Sequence, residues 1–169
     1  MRQNKINSTT GSEIVTASEF KSYARINYSD DDSMIAKMLV QARIWCENYI
    51  SRDIVAKNRT YYLDETQGVF DLPFGPVASI SSVTIDGVAN TDYTTPGLDN
   101  ETVDIDGAGD KVKVTYITAG LDDNLLQQAV LQLAATYYDN RHDYVVGKAV
   151  NEVPSSVKNI LNSYKNMFI

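Results

Sequence analysis

The chain contains very little cysteine and histidine and no long apolar run, and each shortage excludes a class of protein. Its one cysteine, Cys46, leaves no partner for an internal disulfide and too few thiolates for a multi-cysteine zinc site. No stretch approaches the ~20 apolar residues of a membrane span, and the polar first twelve residues lack the apolar core of a secretory signal. We therefore expect a soluble product made in a cytoplasm.

Basic residues are also outnumbered. The net charge of -7 and the isoelectric point near 4.6 argue against a surface that binds DNA or anionic lipid by releasing counterions. Apolar residues make up 43% of the 169, which is enough to build a real core.

Apolar residues recur at three- and four-residue steps in several stretches, which predicts amphipathic helices. Thr16 and Glu19 have the spacing of a capping box. Cys46 and Trp45 fall on the apolar stripe of the second helix, where we expect both to be core residues. The predicted helices are 16–25, 31–51, 123–141 and 154–167.

Between the second and third helices, over about 59–117, the apolar period changes to two and β-branched residues dominate, which indicates strands. Asp86-Gly87 is a tight-turn signal within this segment. We predict an α+β fold that is mainly helical, with a four-helix core and an antiparallel β insertion. The expected organisation is a flexible N-terminal arm at 1–13 and a single domain at 14–169, with the helical core at 14–57 and 120–169 and the β insertion at 58–119.

The strongest metal candidate is the acidic loop that contains Asp104, Asp106 and Asp110. Its alternating carboxylates and glycines resemble the start of a calcium loop. However, Ala108 occupies the fifth position and Thr115 the position that requires a bidentate glutamate, so a hairpin loop is the better interpretation. A small metal-dependent enzyme that uses the three aspartates remains a rival hypothesis.

Other candidate sites are better explained by structure than by chemistry. His142 has acidic neighbours that could orient it as a base, but no recognisable motif holds a serine or cysteine beside it. Asp30, Asp31 and Asp32 fit a helix start better than a cation site. The eleven tyrosines are dispersed without clusters of lysine or arginine, which favours packing over base stacking. We predict no catalytic, cofactor-binding or metal residues.

Four segments, taken in order, resemble the head–tail connector (adaptor, or head completion) proteins of long-tailed bacteriophages. The likeness covers roughly 14–166. No segment encodes chemistry, so the resemblance depends on their order and spacing. The segments are 15–52 with its Glu47-Asn48-Tyr49-Ile50-Ser51-Arg52 ending, 71–83 with Leu72-Pro73 and Pro76-Val77, 112–141 with Tyr137-Tyr138-Asp139-Asn140-Arg141, and Val153-Pro154 before the last helix.

This resemblance implies a structural protein without enzymatic activity or cofactor. Such adaptors form a homo-oligomeric ring, typically a dodecamer, beneath the portal protein. The ring extends the channel, through which genomic DNA passes without sequence-specific binding, and provides a docking platform for the stopper or tail-completion protein. The implied location is the neck of the virion, between capsid and tail, after assembly in the cytoplasm of a host bacterium.

The C-terminal helix is the predicted portal contact, through Tyr164, Met167 and Phe168, because aromatic and methionine side chains near a chain end suit a partner's pocket. The alternative is that these residues close the subunit's own core. A second alternative for the whole chain is another neck or tail-completion ring component. Those proteins tend to be dominated by a β-barrel, so helical content separates the two.

Overall fold

Helices and strands separate into two units in the computed structural model, which describes residues 1–140 and 153–165. The helical unit comprises Glu13–Ile54 and Asp122–Ile169, and the β unit comprises Met1–Ser12 and Val55–Leu121. The polypeptide therefore passes from one unit to the other three times. Within the described ranges, every helix is too short or too polar to span a bilayer.

The predicted helices are present in the described part of the helical unit. The Thr16 hydroxyl accepts a hydrogen bond from the Glu19 N–H (3.2 Å), and the Glu19 carboxylate accepts one from the Thr16 N–H (2.7 Å), which confirms the capping box. Asp123 caps the third helix by accepting from the Leu125 N–H at 2.8 Å. The helices are α1 (Ala17–Ala24), α2 (Asp32–Ile50), α3 (Asn124–Asp139) and α4 (Ser155–Asn162).

The apolar stripes of α2, α3 and α4 bury the core of this unit, although the predicted stripes are too wide. Trp45 is only partly buried, whereas Arg43 and Glu47 on the same helix are buried. Leu125 is 49% exposed because it lies in the first turn of α3, one position before the stripe. The buried apolar residues of the three helices are Ile35, Leu39, Ala42, Cys46, Ile50, Leu126, Ala129, Val130, Leu133, Ala134, Val157 and Leu161.

The β unit is built on a five-stranded sheet in the order β1-β2-β7-β4-β5, in which every neighbouring pair is antiparallel. The predicted Asp86-Gly87 turn joins β4 to β5, and both of its residues have positive φ angles. The five strands are β1 (Arg2–Thr9), β2 (Lys57–Thr66), β4 (Val77–Ile85), β5 (Val88–Asn90) and β7 (Gly109–Thr118), and a separate two-stranded sheet pairs β3 (Val69–Asp71) with β6 (Thr102–Asp104).

This unit has a hydrophobic core of its own. Burial alternates along β2, where Tyr61 and Leu63 are buried and the residues between them are less so, as expected for a strand with one covered face. Leu72, Val77 and Val103 bring apolar side chains from other strands and loops to the same core. Tyr116 on β7 is fully buried and its hydroxyl donates to the Pro73 carbonyl, so the polar end of that ring is satisfied.

The prediction of a mainly helical fold with a four-helix core is wrong. Helices account for 33% of the described residues and strands for 32%, and the strands build a five-stranded antiparallel sheet. The strands β2 to β7 do lie between α2 and α3 in sequence. The predicted share of helix is too high because the segment from β2 to β7 buries an apolar face of its own, and because a further strand comes from the N-terminus.

That further strand is β1, in the segment that the sequence led us to expect as an arm. Its eight residues, of which only Ile6 is apolar, carry no alternating hydrophobic pattern, so periodicity gives no strand signal. Main-chain pairing with β2 holds it instead, together with the amide of Asn7, which donates to Asn58 Oδ1 (2.7 Å) and Thr60 Oγ1 (2.8 Å).

Candidate assembly surfaces

The predicted portal contact begins immediately after α4. Tyr164 is half-buried and its hydroxyl donates to the carboxylate of Asp123, the N-cap of α3. Met167 and Phe168, the other two predicted residues, lie outside the described residues. The phenol of Tyr164 is therefore engaged within its own subunit, as the alternative of a core-closing role requires for this one residue.

The hydrogen bond between Tyr164 and Asp123 shifts both acidities. The bond from the Tyr164 hydroxyl, followed by that from the Leu125 N–H, holds the pKa of Asp123 below its ordinary value. The same bond stabilises the neutral phenol and raises the pKa of Tyr164 to about 12. The pair thus fixes the end of α4 against the start of α3 at any pH near neutrality.

A second set of contacts holds the same end of α4 to α2. The Tyr49 hydroxyl donates to Asn162 Oδ1 at 2.9 Å, and the Lys165 ammonium lies 5.1 Å from the centre of the Tyr49 ring. On its other side, Tyr49 stacks with Trp45 at a centroid distance of 5.2 Å. The last described residues are thus anchored by aromatic contacts at the surface of the helical unit.

Sequence reasoning missed a buried ion-pair network in the helical unit. Arg43 makes a two-pronged contact with Glu13, from Nη2 to Oε1 (2.7 Å) and from Nε to Oε2 (3.1 Å), and its Nη1 donates to Glu47 Oε2 (2.8 Å). The second Glu47 oxygen accepts from the Ile54 N–H at 3.0 Å. The four-residue spacing of Arg43 and Glu47 was the available signal.

This network is charged and nearly dry. The side chains of Arg43 and Glu47 are 5% and 4% exposed, whereas that of Glu13 is 33% exposed, so only Glu13 retains substantial contact with water. Burial lowers the pKa of the Arg43 guanidinium, but the hydrogen bonds and charges of the two glutamates outweigh that effect and raise it overall. Glu13 and Ile54 are the residues at which the chain enters and leaves the first part of the helical unit.

The run Asp30-Asp31-Asp32 serves the helix start only in part. Asp31 is the N-cap residue of α2, but its side chain makes no capping hydrogen bond and instead accepts from the Tyr138 hydroxyl at 2.6 Å. The Tyr138 oxygen also lies 2.7 Å from that of Tyr28. Asp32 pairs with Lys21 at 2.8 Å. Tyr28 and Tyr138 therefore take part in hydrogen bonds within the helical unit.

The acidic loop lacks the geometry of a metal site. The Asp104 carboxylate is turned back to accept from the Asp106 N–H at 3.0 Å, which is a local turn contact. Within the described residues, no group of three or more His, Cys, Asp or Glu side chains could hold a metal ion. The hairpin interpretation is also wrong, because the loop leads from β6 to β7 and those strands belong to different sheets.

The two remaining candidates have different outcomes. His142 lies outside the described residues. Cys46 is fully buried, which confirms its assignment to the core, and burial followed by the charge of Glu47 raises the pKa of its thiol to about 12.

Comparison with known proteins identifies the family. Residues 13–167 match the model of the head completion protein family, which is more than nine-tenths of the chain, so the chain belongs to that family. Membership confirms the resemblance to head–tail connector proteins and the expectation of a structural virion protein that is not an enzyme. No curated protein sequence matches the chain.

Solved structures share the fold over nearly the whole chain. A chain in the neck of an empty gene transfer agent particle, computed with C6 symmetry, has a TM-score of 0.77 and 19% identity, and a chain in the neck of the native particle, computed with C12 symmetry, has 0.75 and 17%. A chain from the virion of the native particle has 0.78 and 17%. Each alignment covers 99% of this chain and 97% of the other. The two-unit architecture is thus that of known particle components.

Proposed function

We propose that this chain forms a homo-oligomeric ring in the neck of a phage-type particle, beneath the portal, where it extends the DNA channel and provides the docking platform for the stopper or tail-completion protein. The observation that carries the proposal is the family match over 13–167. The shared fold with chains from necks that were computed with C6 and C12 symmetry supports a ring, and a dodecamer is the expected size.

The charge of the chain suits a DNA conduit. Each copy contributes -7, so a ring of copies has a strongly negative field that repels phosphate groups. DNA in such a channel slides without adhering, because neutralisation of phosphates by basic residues is what holds DNA to a protein surface. Genome passage therefore requires no sequence-specific contact.

A cyclic ring also sets the type of contact between neighbouring copies. Each subunit must present two different and complementary surfaces, since a patch that pairs with itself closes a dimer and goes no further. The two edges of the five-stranded sheet are different surfaces of this kind.

The portal contact that we propose includes Tyr164, Met167 and Phe168. The Tyr164 phenol is bonded to Asp123 within the subunit, so Met167 and Phe168 are the residues on which the test of this contact depends. The test is pull-down of the cognate portal protein by Met167→Ser/Phe168→Ser, with Leu125→Ser, an exposed apolar residue on α3, as the matched control. Loss of portal binding in the double variant alone supports this contact. Equal binding by all three proteins contradicts it.

The ring itself is tested by native mass spectrometry of the purified chain, alone and mixed with its portal. A closed species of about twelve copies, or a complex of portal and chain in matching symmetry, is the expected result. A chain that remains monomeric with and without the portal would contradict the proposal. A ring that binds a tail protein but not the portal would favour the alternative of another neck component.

A further inference from the structure

One edge of the five-stranded sheet is open along an entire strand. Strand β1 pairs with β2 on one side and has no strand on the other in the described chain. All eight of its residues are exposed, so neither face is covered, and it contains no proline. Its pairing with β2 shifts register between Ile6 and Ser8, so the regular part of this edge is Arg2 to Ile6.

The hydrogen-bonding phase of β1 shows which residues point to this open side. The Asp64 N–H donates to the Met1 carbonyl (3.0 Å), so Met1 and Asp64 form a hydrogen-bonded pair, and the main-chain groups of Met1 face β2, which is the inward direction. Alternation along an antiparallel pair then turns Gln3 and Lys5 inward and Asn4 outward. The main-chain N–H and C=O of Arg2, Asn4 and Ile6 therefore face the open side.

The opposite edge of the sheet is only partly closed. Strand β5 pairs with Val83–Ile85 alone, so no strand of the described chain covers the outer side of β4 from Ala78 to Ser82, a length of about 17 Å. The pairing of this stretch with β7 has two register shifts, between Val77 and Ser79 and between Ile80 and Ser82. An open cavity of about 280 Å³ lies beside this stretch, lined by Ala78, Ser79, Ile80, Tyr93, Thr95 and Asn100.

The direction of the strands allows these two edges to meet. Four antiparallel strands, β1, β2, β7 and β4, separate the open edges, and because the number is even, β1 and β4 run in opposite directions. A copy related by rotation about a ring axis keeps the direction of its own β1. Its β1 therefore arrives antiparallel to β4 of the first copy, in line with β5, and the antiparallel alternation continues from subunit to subunit.

The charges of the two edges are complementary. Residues 1–12 contain Arg2 and Lys5 and no acidic residue, in a chain that is acidic as a whole. Residues 72–110, which include β4, β5 and the cavity, contain seven acidic residues and no lysine, arginine or histidine. Ala78–Ser82 itself is uncharged, but most of these acidic residues lie in the segments that follow β4, and they attract a basic strand of another copy, whereas two copies of that basic strand repel each other.

We propose that the open edge of β1 pairs with the Ala78–Ser82 edge of β4 in a second copy of this chain, so that neighbouring subunits share one continuous antiparallel sheet. The inference rests on the proposed ring and names the contact that closes it. Strand addition of this kind takes its affinity from main-chain hydrogen bonds, which explains why β1 needs no apolar pattern.

The first test removes one outward-facing donor. Asn4→Pro deletes the outward N–H and leaves the inward bonds of β1 to β2 intact, whereas Asn4→Ala keeps the N–H and removes only the side-chain contact to Arg59. We expect Asn4→Pro to weaken self-association roughly tenfold and Asn4→Ala to have little effect, as measured by analytical ultracentrifugation. Circular dichroism of both variants checks that the fold is retained.

The second test cross-links the two edges. Gln3 pairs with Tyr62, between the buried Tyr61 and Leu63, so its side chain points away from the core, as do the exposed Ser79 and Ser82. Gln3→Cys combined in turn with Ser79→Cys or Ser82→Cys should give a ladder of covalent trimers and larger species on oxidation. Gln3→Cys alone should give none, and the buried Cys46 thiol does not compete.

The outcomes separate this inference from the proposed ring. A ladder in a double-cysteine variant with weakened association of Asn4→Pro supports the shared sheet. Covalent dimers of Gln3→Cys alone indicate that β1 pairs with itself and overturn the inference. A wild-type ring with neither a ladder nor sensitivity to Asn4→Pro also overturns it while leaving the ring in place. If the wild type and all variants remain monomeric both with and without the portal, both proposals fail.

Discussion

Arg43→Met should strongly destabilise the helical unit, because it breaks the buried ion-pair network of Arg43, Glu13 and Glu47. It removes a guanidinium that contacts both Glu13 and Glu47, and methionine fills much of the volume of the arginine stem, so packing changes little. The Glu47 carboxylate then remains in a site where its side chain is 4% exposed and loses the charged hydrogen bond from Arg43.

The magnitude follows from the burial of the two acids. Breaking a buried ion pair by removing one partner costs about 3–5 kcal/mol, because the remaining charge is left without compensation. Nearly all of this cost arises at Glu47, since Glu13 is one-third exposed and water can solvate it. For a chain of this size, the thermal midpoint should fall by roughly 6–20 °C.

The assay is urea unfolding followed by the fluorescence of Trp45, the single tryptophan, which lies two residues from Arg43 on α2. The control is Arg43→Met/Glu47→Gln, in which the amide oxygen can still accept from the Ile54 N–H but neither position 43 nor position 47 carries a charge. We expect the double variant to recover at least about 1 kcal/mol relative to Arg43→Met. A loss below about 1 kcal/mol for the single variant, or no recovery in the double, would refute the account of a dry network.

Three further predictions follow from the helical unit. Trp45→Ala should cost only about 1–2 kcal/mol in urea unfolding, because the ring is partly exposed and stacks on Tyr49 at the surface; a larger loss would show that the ring is buried. The Cys46 thiol, with its pKa raised to about 12 by burial, should react with Ellman's reagent only after unfolding, and rapid reaction of the native chain would contradict its placement. The stabilisation by Asp123, whose pKa is lowered in the fold, is present above the unfolded pKa near 4 and is lost as the pH falls below it. Tyr164→Phe should therefore reduce the loss of thermal stability between pH 5 and pH 2, and an unchanged profile would contradict the bond.

The helices could be predicted from the sequence because their signals are local. The capping box of Thr16 and Glu19, the N-cap Asp123 and the three- and four-residue apolar spacing each depend on residues within two turns of one another. The same signals did not separate Trp45, which is partly exposed, from Arg43 and Glu47, which are buried. A buried charge depends on partners distant in sequence, here Glu13, thirty residues before Arg43.

The balance between helix and strand could not be predicted in the same way. The strands from β2 to β7 can be predicted from their β-branched residues. Whether these strands form an insertion or a unit with its own core depends on long-range pairing, which local sequence does not show. Strand β1 illustrates the limit, since its polar sequence pairs with residues 48 to 61 positions away through main-chain groups that every sequence possesses. The open edge of β1 could therefore not be predicted from the sequence, because it is defined by the register of β1 and β2.

The central claim is that this chain is a structural ring component at the junction of head and tail, and electron cryo-microscopy of the assembled particle tests it most directly. We expect a ring of copies of this chain in the neck, between the portal and the tail, with the helical and β units resolved as described. Density for the chain in the capsid shell or the tail tube, or its absence from the finished particle, would contradict the claim.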